Sequence, residues 1–220
     1  VDVHEAVLTA EVLVAPQIRA KGLTYEWGSC VAGLTVRAGG GLGYKLPTVF
    51  VEEAERRTFR GVQPLAPDAE AETSRGGTLD VNARGVLGET LGASFNANLF
   101  WTRLDDPLVA VEGSAGDLFV RNADGAATSR GVETSARLDL EPLKLFLGYV
   151  FLDARLDADG TDAPVALQAR HRTYTVLVWE EHGRFRLGLE AYYTGPQRLS
   201  GGGTSPGFWI TGVMGEKRFG

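Results

Sequence analysis

Leu143-Lys144-Leu145-Phe146-Leu147-Gly148-Tyr149-Val150-Phe151 is the stretch that decides the fold class. Its odd positions are all leucine or aromatic, while its even positions include a lysine and a glycine. Successive side chains of a strand point to opposite faces, so a period of two predicts a strand with one wholly apolar face. The same pattern returns at 185–193, where Phe185, Leu187, Leu189, Ala191 and Tyr193 alternate with Arg186, Gly188, Glu190 and Tyr192. At 91–101, Ala93, Phe95, Ala97, Leu99 and Trp101 alternate with Gly92, Ser94, Asn96, Asn98 and Phe100. Residues 78–84 and 131–140 repeat it. Apolar residues at helical spacing are nowhere comparable.

About nine strands are expected, at 6–26, 32–45, 72–86, 89–105, 127–140, 143–157, 169–181, 184–198 and 208–220, several longer than the usual five to six residues. The first is the least regular, because Pro16 interrupts it and its parity shifts near Gly22. The connections alternate in length. Short turns fall at Gly28-Ser29-Cys30, Leu87-Gly88, Glu141-Pro142 and Glu181-His182-Gly183; polar loops fall at 46–71, 106–126, 158–168 and 199–207. Antiparallel strands give this rhythm when only one end of the sheet is elaborated, as in transmembrane barrels. A Greek-key sandwich would scatter loop lengths between its two ends.

Face polarity points the same way. Arg37, Asp80, Arg84, Asn96, Asn98, Glu133, Arg137, Arg186 and Glu190 fall on the parity opposite the leucines and are the expected lumen lining. Aromatics such as Trp101, Tyr149, Phe151 and Tyr193 close the apolar parity, as girdles do at a membrane interface. The expected fold is all-β, an antiparallel transmembrane β-barrel segment. A one-sided sheet in a soluble protein is the competing reading.

The 220 residues are 44% hydrophobic and 23% charged, with mean hydropathy −0.07, which argues against wholesale disorder. Glycine is abundant, with 29 residues and no collagen-like period, so it must serve strands and turns. A net charge of −6 counts against a nucleic-acid binder. One cysteine excludes a disulfide scaffold. No apolar stretch is long enough for a spanning helix, and no export leader is visible at the start.

Four strings then resemble the TonB-dependent outer-membrane receptors. Gly41-Leu42-Gly43-Tyr44-Lys45-Leu46-Pro47-Thr48 is similar to the family string that ends a strand and opens a long outer loop. Asn122-Ala123 followed by Ser129-Arg130-Gly131-Val132-Glu133 resembles the approach to a later strand, and Tyr149-Val150-Phe151-Leu152-Asp153-Ala154-Arg155 resembles its hairpin partner. Leu167-Gln168-Ala169-Arg170-His171 is similar to a Leu-x-Pro-x-His strand opening, with Ala169 where proline is usual. The strings occur in the family's order from about residue 14 onward.

The resemblance implies a barrel of about 22 strands around a plugged lumen, of which residues 1–220 would be a partial barrel domain from the C-terminal half. No plug domain or TonB-contacting box is visible in these residues. It implies active uptake of a scarce ligand, such as a ferric siderophore, energised by the TonB complex acting through that plug. The expected partners are outer-membrane lipid, the rest of the barrel, the plug and a metal chelate, in the bacterial outer membrane. A passive porin-like channel and a soluble binding module remain the alternatives.

No residue pattern points to an enzyme or a cofactor. His4, His171 and His182 match no metal-ligand spacing. The acidic loop at 157–162 lacks the EF-hand order, with Gln168 where the bidentate glutamate would stand. Gly39-Gly40-Gly41-Leu42-Gly43 lies within a strand and lacks a nucleotide-loop spacing. Ser129, Ser135 and His171 could face one another only by coincidence. The candidate ligand contacts are Arg56, Arg57, Phe59 and Arg60 in the first long loop, because guanidinium groups bind anionic chelates well.

Overall fold

The computed structural model describes residues 4–5, 12–15, 18–28, 33–49, 58, 60–158, 160–181, 183–199 and 202–217; up to residue 28, and at 158, it describes the backbone alone. The described residues contain strands, turns and coil. The strands are β1 (His4–Glu5), β2 (Val12–Ala15), β3 (Ile18–Gly28), β4 (Leu34–Lys45), β5 (Glu72–Leu87), β6 (Leu91–Asp105), β7 (Leu108–Glu112) and β8 (Leu118–Asn122). They continue with β9 (Ala127–Leu140), β10 (Leu143–Ala158), β11 (Thr161–Pro164), β12 (His171–Glu181), β13 (Phe185–Thr194), β14 (Gln197–Arg198), β15 (Thr204–Ser205) and β16 (Phe208–Lys217).

The main sheet runs β1-β3-β4-β5-β6-β9-β10-β12-β13-β16, with β2 attached to β3 and β11 to β10. Every pairing in it is antiparallel. It is therefore a meander in which each long strand lies beside the next long one, and each of the nine expected strands has a long counterpart. The exception in detail is 6–26, which is not one strand. β2 folds back on β3, with Ala15 opposite Ile18.

The expected loops also hold structure of their own. Residues 106–126 contain the β7–β8 hairpin, 158–168 contain β11, and 199–207 contain the second strand of the β14–β15 hairpin. Gln63 N–H donates to Leu118 O, and Leu118 N–H donates to Gly61 O, both at 2.9 Å. The first long loop thus adds a parallel rung at Val62 to β8. The opposite end is bare: Gly88 and Gly183 supply the positive φ that tight turns require.

Register assembles the alternating residues into rows. Leu138, Leu145, Leu177, Leu189 and Val213 lie side by side across β9, β10, β12, β13 and β16. Two residues further along come Ala136, Leu147, Thr175, Ala191 and Thr211, then Thr134, Tyr149, Thr173, Tyr193 and Trp209. The next row runs Phe151, Val132, Leu99 and Leu79. No described element covers this face, and Leu189 and Val213 are 53% and 81% exposed. The buried hydrophobic residues are Leu118, Val120, Ala123 and Ala169, all at the long-loop end. A soluble sheet would bury its leucine rows and leave its loops wet. Here the order is reversed, as it is when hydrocarbon is the solvent for the wall.

Candidate functional site

The face opposite the leucines carries the expected lumen residues, and the register gathers several into rows. Arg37, Asp80, Asn98 and Glu133 lie in one line across β4, β5, β6 and β9, and Val150 and Arg172 extend it across β10 and β12. Arg37 Nη1 approaches Asp80 Oδ1 at 3.5 Å, and Asn96 Nδ2 donates to Asp80 Oδ2 at 2.7 Å. Asn82, Asn96 and Ser135 form the next row, and Arg84 and Arg137 share the one after it, flanking Ser94. Arg84 Nη2 donates to Asn82 Oδ1 at 3.5 Å. Arg137 is held by Asp139 through bonds of 2.7 and 2.9 Å, and its guanidinium lies 5.3 Å from the Phe146 ring centre.

At the short-turn end of this face stands a second charged group. Lys144 Nζ donates to Glu180 at 2.7 Å, Arg186 donates to the other oxygen of Glu180, and Arg186 Nη1 reaches Glu216 at 3.8 Å. Glu190 accepts a 2.9 Å bond from the Tyr192 hydroxyl. Arg172 and Lys144 were missed as members of the face, although each sits on the parity that would have found it.

The face is not polar throughout. Charged and amide side chains concentrate on β4, β5, β6 and β9. On β12, β13 and β16 the same parity brings Tyr174, Val176, Val178, Tyr192, Ile210 and Met214. Ile210 and Met214 are more than half exposed. On these strands an apolar and aromatic patch therefore lies among Arg172, Glu180, Arg186, Glu190 and Glu216 and interrupts the charged and amide-rich surface that alternation predicts. Runs such as Val176-Leu177-Val178-Trp179 carry no polar residue to mark a second face.

Of the four candidate ligand contacts, Arg60 is described and exposed. Arg56, Arg57 and Phe59 lie outside the described residues. Among the described residues, no three His, Cys, Asp or Glu side chains gather into a group that could hold a metal ion.

Three of the four strings singled out in the sequence meet at the outer rim. Asp153, 6% exposed, accepts Arg130 Nε and Nη2 at 3.3 and 3.2 Å on one oxygen and Arg170 Nη2 at 2.8 Å on the other. Over the two rows inward, the Tyr149 hydroxyl and His171 Nδ1 are 2.9 Å apart, and the Phe151 ring lies 5.4 Å from that of His171. On the opposite face Gly131 leaves room for Phe100, because a Cβ there would collide with Phe151 O and the Phe100 ring. Asn122 joins the loops: its Oδ1 accepts from Glu70 N at 2.8 Å, and its Nδ2 donates to Glu70 O and Asp106 O at 3.1 and 2.6 Å. Glu72, 7% exposed, accepts from Leu108 N at 2.7 Å and pairs with Lys45 at 3.3 Å. These rim clamps were not legible in the sequence, since their partners are distant in the chain.

Known structures share this architecture. The FrpB iron transporter from Neisseria meningitidis is 16% identical with a TM-score of 0.65, over 91% of this chain and 32% of that one. The copper transporter OprC is 18% identical with a TM-score of 0.68, over 90% of this chain and 31% of that one. The siderophore receptor PirA from Acinetobacter baumannii is 13% identical with a TM-score of 0.66, over 96% of this chain and 38% of that one. The chain thus spans about a third of the length of each, and at such identities the likeness shows the fold alone. No curated protein sequence matches it. The description of TonB dependent receptor-like β-barrels matches residues 19–220. Taken with the lipid-suited leucine rows and the one-sided loops, that match means the chain belongs to the TonB-dependent receptor β-barrel family.

Proposed function

We propose that this chain is a wall segment, from the C-terminal half of the barrel, of a bacterial outer-membrane receptor that imports a scarce ligand. A metal chelate such as a ferric siderophore is the class expected, with energy supplied by the TonB complex through a plug. The observation that carries this reading is the apolar and aromatic patch that interrupts the polar face on β12, β13 and β16. The interior of a water-filled pore is polar. Tyr174, Val176, Tyr192, Ile210 and Met214 on an interior wall call instead for a packed neighbour, and a plug supplies one. In this reading the Arg37–Asp80–Glu133 row and the Lys144–Glu180–Arg186 group line the lumen and contact that plug. Arg60 and its loop belong to the ligand-catching side, and the work is transport rather than catalysis.

The test is ligand uptake by iron-starved cells that make the full-length protein. Accumulation of a labelled ferric chelate should fall by at least about tenfold when TonB is removed, since an energised step is then lost. Uptake that is unchanged without TonB, with steady passage of small solutes, would establish the porin-like alternative.

A further inference from the structure

The inner face divides within single rows. One row runs Thr35, Asn82, Asn96 and Ser135 across β4, β5, β6 and β9, passes Gly148 on β10, and continues as Tyr174, Tyr192 and Ile210 across β12, β13 and β16. Gly148 marks the border: a Cβ there would collide with the Tyr174 ring, which lies over it. On the first side the polar groups answer one another. Asp80 holds both Arg37 and Asn96, and Asp139 holds Arg137. On the second side Tyr192, Ile210 and Met214 are 40%, 59% and 54% exposed. Of the carboxylates beside this patch, Glu190 takes the Tyr192 hydroxyl and Glu180 takes Lys144 and Arg186. Arg172 stands one row outward, beside Val150 and Thr194.

A domain that fills the lumen meets these two sides on unequal terms. Where it leaves an amide, or an ion pair already closed within the wall, water replaces the lost contacts at little net cost. Where it leaves the tyrosine rings, Ile210 and Met214, apolar surface passes into water, and the cost grows with the area exposed. The lumen offers no hydrocarbon to take that surface, unlike the medium around the leucine rows. A solute crosses a filled lumen only where the filling parts from the wall. We infer that β12, β13 and β16 are the seat on which the plug stays, and that β4, β5, β6 and β9 are the face from which it parts first. Passage then opens over Asp80, Asn96 and Asn98, and the imported ligand meets amide and carboxylate groups there, away from the aromatic patch. The inference rests on the plugged-receptor reading above.

The test uses the full-length protein freed of its cysteines, Cys30→Ser among them, and refolded in liposomes with Asn98→Cys or Ile210→Cys as its single thiol. A water-soluble maleimide is present on both sides of the membrane. Urea is then raised within the range over which heat-dependent gel migration shows the barrel intact. Asn98→Cys should become reactive at urea concentrations that leave Ile210→Cys protected, with rates at least about tenfold apart, the equivalent of one apolar side chain kept from water. The Val176→Ser/Met214→Ser pair, which makes the seat less apolar, should shrink that difference. Reaction of Ile210→Cys first, reaction of both together, or protection of both until the barrel itself unfolds would overturn the inference alone. Ready labelling of both without urea would mean that no plug fills the lumen, and would remove the proposed function along with it. Leu189→Cys, on the leucine row, should stay unreactive throughout, and its labelling would bring down the membrane reading beneath both.

Discussion

On the wall, Leu143, Leu187 and Leu189 lie open on the sheet surface; in the outer hairpin, Leu118 and Val120 are 3% and 1% exposed. The two regions are joined by the same strands and made from the same residue types. The wall is held by continuous backbone ladders, with its side chains turned to whatever surrounds it. The rim is held by side chains: Asn122 bonded to three backbone groups, Glu72 to one more, Asp153 between two arginines. The contrast shows that leucine and valine are placed here according to the solvent of each zone. Lipid solvates the wall's apolar surface, so that surface needs no protein cover. At the rim, Leu118 and Val120 meet water instead, and they fold inward.

That contrast can be broken most forcefully at the middle of the leucine row. Leu145→Arg places a charge opposite Leu138 and Leu177, and should cost about 2–4 kcal/mol if the row faces the bilayer midplane. Refolding yield in liposomes, followed by heat-dependent gel migration, measures it. A fully folded L145R protein would mean that the row does not meet lipid. At the rim, Asn122→Ala removes three bonds to backbone groups and should cost roughly 1–3 kcal/mol, nearly all of it local. Limited proteolysis should then cut the 46–71 loop faster while the barrel resists. Equal cutting rates would show that the clamp is dispensable.

Val120→Ala is the smaller version of the same test, at about 1.5 kcal/mol for two buried methyl groups. It should loosen the outer hairpin in hydrogen exchange and leave exchange of β10 unchanged. Exchange quickening in both regions would show that rim and wall unfold together. The smallest effect is expected at Gly85, where an added Cβ meets nothing within 4 Å. Gly85→Ala should shift the denaturant midpoint by less than about 0.5 kcal/mol equivalent. Gly131→Ala is its opposite, since its Cβ would press on Phe151 O; it should destabilise by roughly 1–3 kcal/mol. A matched outcome for the two glycines would remove close strand approach as the reason for Gly131.

The long strands were readable because their period extends over ten residues or more and each has a short turn or long loop beside it. The expected 143–157 became β10 at Leu143–Ala158, and 72–86 became β5 at Glu72–Leu87. The β7–β8 hairpin was not readable. Leu108-Val109-Ala110-Val111 is an apolar run without alternation, too short to announce a strand against the polar residues around it. The polar face was legible residue by residue on β4, β5, β6 and β9. On β12 and β16 it was harder to read, because Arg172, Glu180 and Glu216 share that parity with Tyr174, Val176, Val178, Ile210 and Met214.

Alternation by itself determined that this is an antiparallel β wall with one greasy face. The parity of a strand is a local property, written wherever the residues alternate. Which charges meet is different. Asp153 is 23 residues from Arg130 and 17 from Arg170, and only strand register carries the three to one point. Register is set by the whole ladder at once, so the arginine-edged rim, the loop clamps and the hairpin that buries Leu118 and Val120 belong to the tertiary structure alone.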